Sequence, residues 1–304
     1  MATTTTTILS QPISTYYEKR FLKIARANFV YKQAGKMGTI PASEGKTVVW
    51  NRFTDFAAQT TALTEGTDPT ALGMSATLVS ATISQYGALV TVSDLVNLVA
   101  IDNMVSQAID QLAYNAALTI DTNVRDIVVA GTNVLYASGV ANRTSLIPTD
   151  VVTVADVRKV VRNLKQNNAS PMANGDYMAV IHPDVEYDLQ GDSNWVNAHQ
   201  YTDAALNGVY NGEVGKLYGV RFMNTTQAPK LVNSGSAGTE VYQSMFFGNE
   251  SFGVSELQSL KTYVDSPSPR SALRLYSDVS WKASFAAKIL NDNFMVRLES
   301  SATA

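Results

Sequence analysis

Two histidines and one glycine-flanked lysine are the residues from which an active site would have to be assembled. His182 and His199 lie 17 positions apart. Neither has a second histidine at i+4, the spacing that turns two imidazoles toward one metal on a helix face. His182 follows the apolar run Tyr177-Met178-Ala179-Val180-Ile181 and precedes Pro183, a position where a histidine ties down a turn. Lys216 sits within Gly212-Glu213-Val214-Gly215-Lys216-Leu217-Tyr218-Gly219, but those glycines lack the spacing that lets backbone amides cradle a phosphate. Acid pairs occur at Glu186 with Asp188 and at Asp121 with Asp126, without the aromatic and polar company of a sugar-cleaving cleft. Arg52 beside Phe53 joins a cation to an aromatic, yet one isolated pair carries little specificity for nucleic acid. The 304 residues include no cysteine, which removes thiolate nucleophiles, disulfides and cysteine-based zinc sites. No nucleophile elbow, phosphate loop or dinucleotide fingerprint is present. The sequence therefore names no catalytic, cofactor-binding or metal-binding residue, and no enzyme is expected.

Composition points in the same direction. Hydrophobic residues make up 45% and charged residues 16%, against about 25% charged in an ordinary soluble chain. A protein that buries much of its surface against neighbours needs fewer solubilising charges. The net charge is -3, and no Lys/Arg-rich run marks a nucleic-acid groove. The start, Met-Ala and then Thr3 to Thr7, carries neither the basic residues nor the apolar core of a secretory leader. No apolar run reaches the ~20 residues that span a bilayer, so no membrane partner is expected.

The elements that would have to hold any site are mostly extensions. Residues 1–38 read as an arm: Tyr17, Phe21 and Ile24 mark one helix face, which Gly35 and Gly38 then break. Residues 39–92 read as two long strands joined by a large loop. The first is β-branched and aromatic through Lys46 to Phe53; the second alternates from Ala76 to Val92. Gly66 and Asp68-Pro69 supply turn chemistry between them. Strands of about ten residues reach roughly 33 Å, and a two-stranded ribbon of that length needs a surface to lie on.

A helix is predicted over 102–131, with Asp102 as cap and Gly131 as terminator. Val105, Ile109, Leu112, Ala116, Ile120, Val124 and Ile127 form its stripe. At 1.5 Å per residue it is about 42 Å long, the spine of a domain. Residues 150–260 read as a mixed unit: a helix capped by Thr153, the strand 177–181, a helix after His182, and strands over 220–223 and 241–247. Asp265 to Arg270 marks a boundary, and Val279 to Glu299 reads as two strands around Asn291-Asp292-Asn293.

Segments spread along the chain resemble the major capsid proteins of the N4-like tailed bacteriophages. They are Ser14-Thr15-Tyr16-Tyr17, Thr64-Glu65-Gly66-Thr67-Asp68-Pro69, Gln85-Tyr86-Gly87-Ala88, Val92-Ser93-Asp94, Asp121-Thr122-Asn123-Val124-Arg125-Asp126, and Gly212 through Phe222. Trp281 to Asn291 is similar to that family's closing strands. The specificity lies in the order of these segments, since none is catalytic.

The resemblance implies an α+β, tailed-phage major capsid fold. Its parts would be an N-terminal arm (1–38), an extended β-hairpin loop (39–92), a peripheral domain with a long spine helix (93–149 with 265–304), and an axial domain (150–264). It also implies hexamers and pentamers of this chain closing an icosahedral virion shell around double-stranded DNA, assembled in the bacterial host cytoplasm. The partners would be a separate scaffolding protein, a portal, a decoration protein and weak non-specific contact with packaged DNA. Tyr16, Tyr17, Phe21, Trp50, Arg52, Phe53 and Glu65 are the expected inter-subunit contacts, because aromatic anchors dominate interfaces; packing within the subunit is the alternative for each aromatic. Some relatives weld their shells through a lysine on the extended loop. Here no lysine occurs between Lys46 and Lys159, so a non-covalent shell is expected. Two rival readings are an encapsulin-like compartment shell and an α/β enzyme with an unrecognised site.

Overall fold

The protein is described from a computed structural model covering residues 21, 29–41, 45–54, 56–63, 65–100, 103–193, 195 and 213–303. Two sheets and one long helix organise these residues. A four-stranded sheet has the order β1 (Lys36–Thr39), β11 (Phe252–Asp265), β12 (Tyr276–Ile289), β4 (Ser84–Ser93). Strands β11 and β12 are antiparallel, β1 adds parallel to β11, and β4 adds antiparallel to β12. The alternation in β12 explains its placement: Val279, Trp281, Ala283, Phe285 and Ala287 all point into one core, as a period of two requires.

The spine helix α3 (Met104–Val129) covers that face of the sheet. Its stripe of Val105, Ile109, Leu112, Ala116, Ile120 and Val124 is buried as the spacing predicts, and Ala108, Ala113 and Ala117 widen it. The Trp281 Nε1–H donates to Asn115 Oδ1 at 3.1 Å, so the sheet's largest side chain is also tied to the helix. Asn103, not Asp102, caps the start through the Ser106 amide, and Asp102 lies outside the described residues.

Gly131 does not end the helix by the left-handed route expected of it. Its φ is not positive. A Cβ there would lie 2.3 Å from Met295 Cε and 2.7 Å from Asp292 Oδ1, so a larger residue would have to push those two side-chain ends aside. The last helical carbonyls find a partner in Arg297, whose Nη1 donates to Val129 O and, at 3.2 Å, to Gly131 O.

The second sheet has the order β5 (Val134–Tyr136), β13 (Met295–Ser300), β10 (Val241–Phe247), β6 (Tyr177–Ile181), β8 (Val220–Asn224), β7 (Glu213–Leu217), with β9 (Lys230–Leu231) beside β10. Every residue of β6 and β10 is buried. On one face Met178, Val180, Met245 and Phe247 join the spine-helix core. On the other, Ala179, Ile181, Tyr242 and Phe246 meet α4 (Val154–Gln166) and α5 (Pro183–Gly191) in a second core. Thr153 caps α4 in a full capping box with Asp156.

Three expectations are corrected by this topology. The segment 265–270 is no boundary: it belongs to the turn between the two 14-residue strands β11 and β12. Of the two glycines expected to break the arm helix, Gly35 follows its last residue, while Gly38 lies farther on inside β1, paired with Ser255. The strand predicted over 76–92 divides at Ile83, and only β3 (Ala76–Thr82) belongs to the ribbon, while β4 joins the four-stranded sheet. The last two strands also part company, β12 entering one sheet and β13 the other.

Candidate assembly surface

The described arm is fastened by its backbone. The short helix α1 (Tyr31–Ala34) has no capping side chain of its own. Asp121, on the spine helix, supplies one: its Oδ1 accepts the amides of Val30 at 3.2 Å and Lys32 at 3.1 Å. Tyr31 and Phe21 are fully buried, and Tyr31 packs edge-on against Phe247 at 6.4 Å. Lys32 pairs with Glu256, and Lys36 with Glu250 at 2.7 Å. Gly35 permits the chain to turn over Phe252, because a Cβ there would lie 2.6 Å from the ring.

Burial pushes the Asp121 carboxyl up to about 6, although the amides of Lys32, Val30 and Tyr31 and the Arg125 charge all pull it down. Desolvation outweighs the hydrogen bonds. The acid pair seen in the sequence therefore divides: Asp121 is buried structure, while Asp126 is exposed and bonded to Arg125.

The ribbon β2 (Thr47–Phe53) with β3 pairs Thr47 with Thr82 at its base and Phe53 with Ala76 at its far end. Seven residues per strand make about 23 Å, shorter than expected. It also has support from its own chain, which the sequence reading did not find. Trp50 lies against Gly253 of β11, where a Cβ would be 3.1 Å from the indole, and Arg52 Nη1 reaches Leu290 O at 3.4 Å.

Beyond this root nothing covers the ribbon among the described residues. Phe53 is 61% exposed, Leu78 67%, Leu63 73% and Met74 71%. Glu65 is exposed in the turn at Gly66, whose φ of +77° suits glycine. Of the expected contact residues, Arg52, Phe53 and Glu65 are thus open, Trp50 is half-buried against β11, and Phe21 is packed inside its own chain. Tyr16 and Tyr17 lie outside the described residues.

A second apolar patch was not singled out in the sequence. Helix α2 (Asp94–Val99), capped by Ser93, exposes Leu95, Leu98 and Val99. The Asp94 amide donates to Leu275 O at 2.9 Å, so this helix stands beside exposed Leu273 and Leu275 at the β11–β12 turn. Its signal was available: four apolar residues in a six-residue helix cannot all face one core. Patches of this kind mark association surfaces.

The residues first weighed for chemistry do structural work. His182 caps α5, its Nδ1 accepting the Asp184 amide at 3.2 Å, and burial lowers its pKa. Glu186 bonds Asn224 and Gln190, and Asp188 accepts the Thr303 amide at 2.9 Å. Lys216 pairs with Asp176 at 2.7 Å. His199 lies outside the described residues. Among the described residues no group of three His, Cys, Asp or Glu side chains is placed to hold a metal, and no helix is long and apolar enough to cross a membrane.

Comparison with known proteins follows the same line. The family model described as phage capsid protein matches residues 77–298, well over half of the chain. No curated protein sequence gives a significant match. Among solved structures, the capsid of Ralstonia phage GP4 superposes with a TM-score of 0.72 at 13% identity, covering 91% of this chain and 92% of that one. The capsid of cyanophage P-SCSP1u gives 0.68 at 17% identity, covering 90% and 89%. A virus-like particle from Pyrococcus furiosus gives 0.58 at 11% identity, covering 94% and 99%. These likenesses establish the tailed-phage capsid fold.

Proposed function

This chain belongs to the phage capsid protein family, and we propose that it closes an icosahedral shell as hexamers and pentamers around double-stranded DNA. Its place is that of a major capsid subunit. The finer reading is that it stands with the N4-like phages, on the sequence segments that resemble that group. It assembles in the host cytoplasm on a separate scaffolding protein, with a portal and a decoration protein as further partners, and it catalyses no reaction. The axial unit, 150–264 less the strand β11 that joins the four-stranded sheet, surrounds the capsomer centre, and the arm and ribbon cross to neighbours.

The observation that carries this reading is the uncovered ribbon. A hairpin with Phe53, Leu63, Met74 and Leu78 exposed beyond its root is costly in water and favourable once another subunit covers it. Many weak identical contacts then act together, and symmetry closes the assembly.

The structural likeness to the Pyrococcus furiosus virus-like particle supports a second reading, a compartment shell filled with protein cargo. Negative-stain electron microscopy of the expressed chain, alone and with its scaffolding protein, tests both. Shells or five- and six-membered rings are expected, and DNA inside native particles separates the phage shell from the compartment. Uniform monomers under both conditions would overturn the proposal.

A further inference from the structure

Helix α4 presents two opposite faces. Val157, Val160, Val161 and Leu164 are buried in the second core, so the helix is held rigidly. Its outer face carries Arg158, Arg162 and Lys165, spaced i, i+4 and i+7 and all exposed. Among the described residues none of the three has an acidic partner, whereas the neighbouring Lys159 is paired with Asp156 at 2.8 Å. The three cations line one open groove of about 450 Å³ with Gln166 and Tyr218. Tyr218, held at φ +51° in the β7–β8 turn, is half exposed, and its ring lies under the Arg158 guanidinium at 5.7 Å. A chain with net charge -3 thus concentrates three unneutralised positive charges on one rigid face.

We propose that this groove is a contact site for the phosphate backbone of double-stranded DNA. The inference rests on the shell reading, and it requires the α4 face to look into the particle. Arg158 to Lys165 spans about 10 Å of helix axis, a length over which duplex DNA carries about six phosphates. Three cations spaced along one helix match the regular phosphate backbone that every duplex presents, so binding is independent of sequence. The helix backbone is already ordered, so only the side chains lose freedom on contact. Their contribution is release of counterions, which makes it strongly salt-dependent.

The test uses full-length, unassembled subunits and a fluorescent 20-base-pair duplex, with anisotropy measured from 25 to 150 mM salt. The combined variant Arg158→Gln, Arg162→Gln, Lys165→Gln is expected to bind at least tenfold more weakly at 50 mM. Its slope of log affinity against log salt should fall by about 2 to 3. A control neutralising exposed cations elsewhere, Lys261→Gln, Arg274→Gln and Lys288→Gln, should keep the wild-type slope. An unchanged slope in the first variant, an equal fall in the control, or no wild-type binding at 25 mM overturns the proposal. So does a first variant that keeps its DNA slope but no longer assembles, because the stripe then meets another subunit. Assembly is scored separately by electron microscopy, so failure of wild-type shells counts against the shell reading and not against the groove.

Discussion

The Asp121 carboxylate accepts the backbone amide of Lys32 at 3.1 Å across 89 residues of sequence, and with it the Val30 amide. One buried acid on the spine helix thus caps the helix that ends the arm. Burial places its pKa near 6, above the ordinary value of 3.8. Relative to the unfolded chain, a group raised in this way takes up a proton on folding. Its stabilisation is complete below about pH 4 and is lost as pH rises through about 6. The difference corresponds to about 3 kcal/mol.

Amide exchange over residues 30–34, corrected for intrinsic rates, is therefore expected to be slower at pH 5 than at pH 7.5. Asp121→Asn keeps the accepting Oδ1 without the charge and should remove that pH dependence. A variant as pH-sensitive as wild type would show that Asp121 does not govern the arm. Asp121→Ala should loosen the arm at both pH values, by about 1–3 kcal/mol for the lost acceptor.

The ribbon's root gives a second expectation. Trp50 is the largest side chain between ribbon and sheet, and it fits because residue 253 is glycine. Trp50→Ala should free the ribbon while leaving both cores intact. Limited proteolysis within residues 54–75 is expected to accelerate several-fold, with an unchanged far-ultraviolet spectrum. Equal cleavage rates would place the hold elsewhere.

Glu299 is fully buried on β13. Arg143 meets it through two bonds of 2.7 and 2.6 Å, Gln243 donates at 3.0 Å, and Arg297 Nε lies at 2.9 Å. Burial opposes its charge, but the bonds from Arg143 and Gln243 and the two arginine charges outweigh that and lower its pKa. Arg143→Ala should cost about 1–3 kcal/mol, read as a fall of a few degrees in Tm near neutral pH. A depressed carboxylate loses its contribution as pH falls through the folded pKa, so the deficit should shrink in acid. A deficit constant with pH would assign the effect to packing.

With no lysine from 47 to 158, neither the ribbon nor its loop can supply an amine for cross-linking. Mature particles boiled in denaturant should run as a single monomer band. A ladder of multimers on that gel would sink the expectation.

Local chemistry explains which elements were legible in the sequence. The spine helix was, because a stripe recurring every three or four residues specifies one buried face wherever the helix docks. Helix α4 was, because Thr153 and Asp156 cap it through contacts three residues apart. The strand 177–181 was, being apolar and β-rich throughout.

Tertiary structure decided what depends on distant partners. Nothing near residue 83 announces that β3 stays in a ribbon while β4 leaves to pair with β12, since pairing is set by a strand nearly 200 residues away. Asp121 reads as one acid among 26 until residues 30–32 arrive above it. Gly131 and Gly253 lie close against Met295, Asp292 and Trp50, neighbours that only the folded chain brings within reach. Sequence periodicity determined which faces are buried; close packing in three dimensions determined against what.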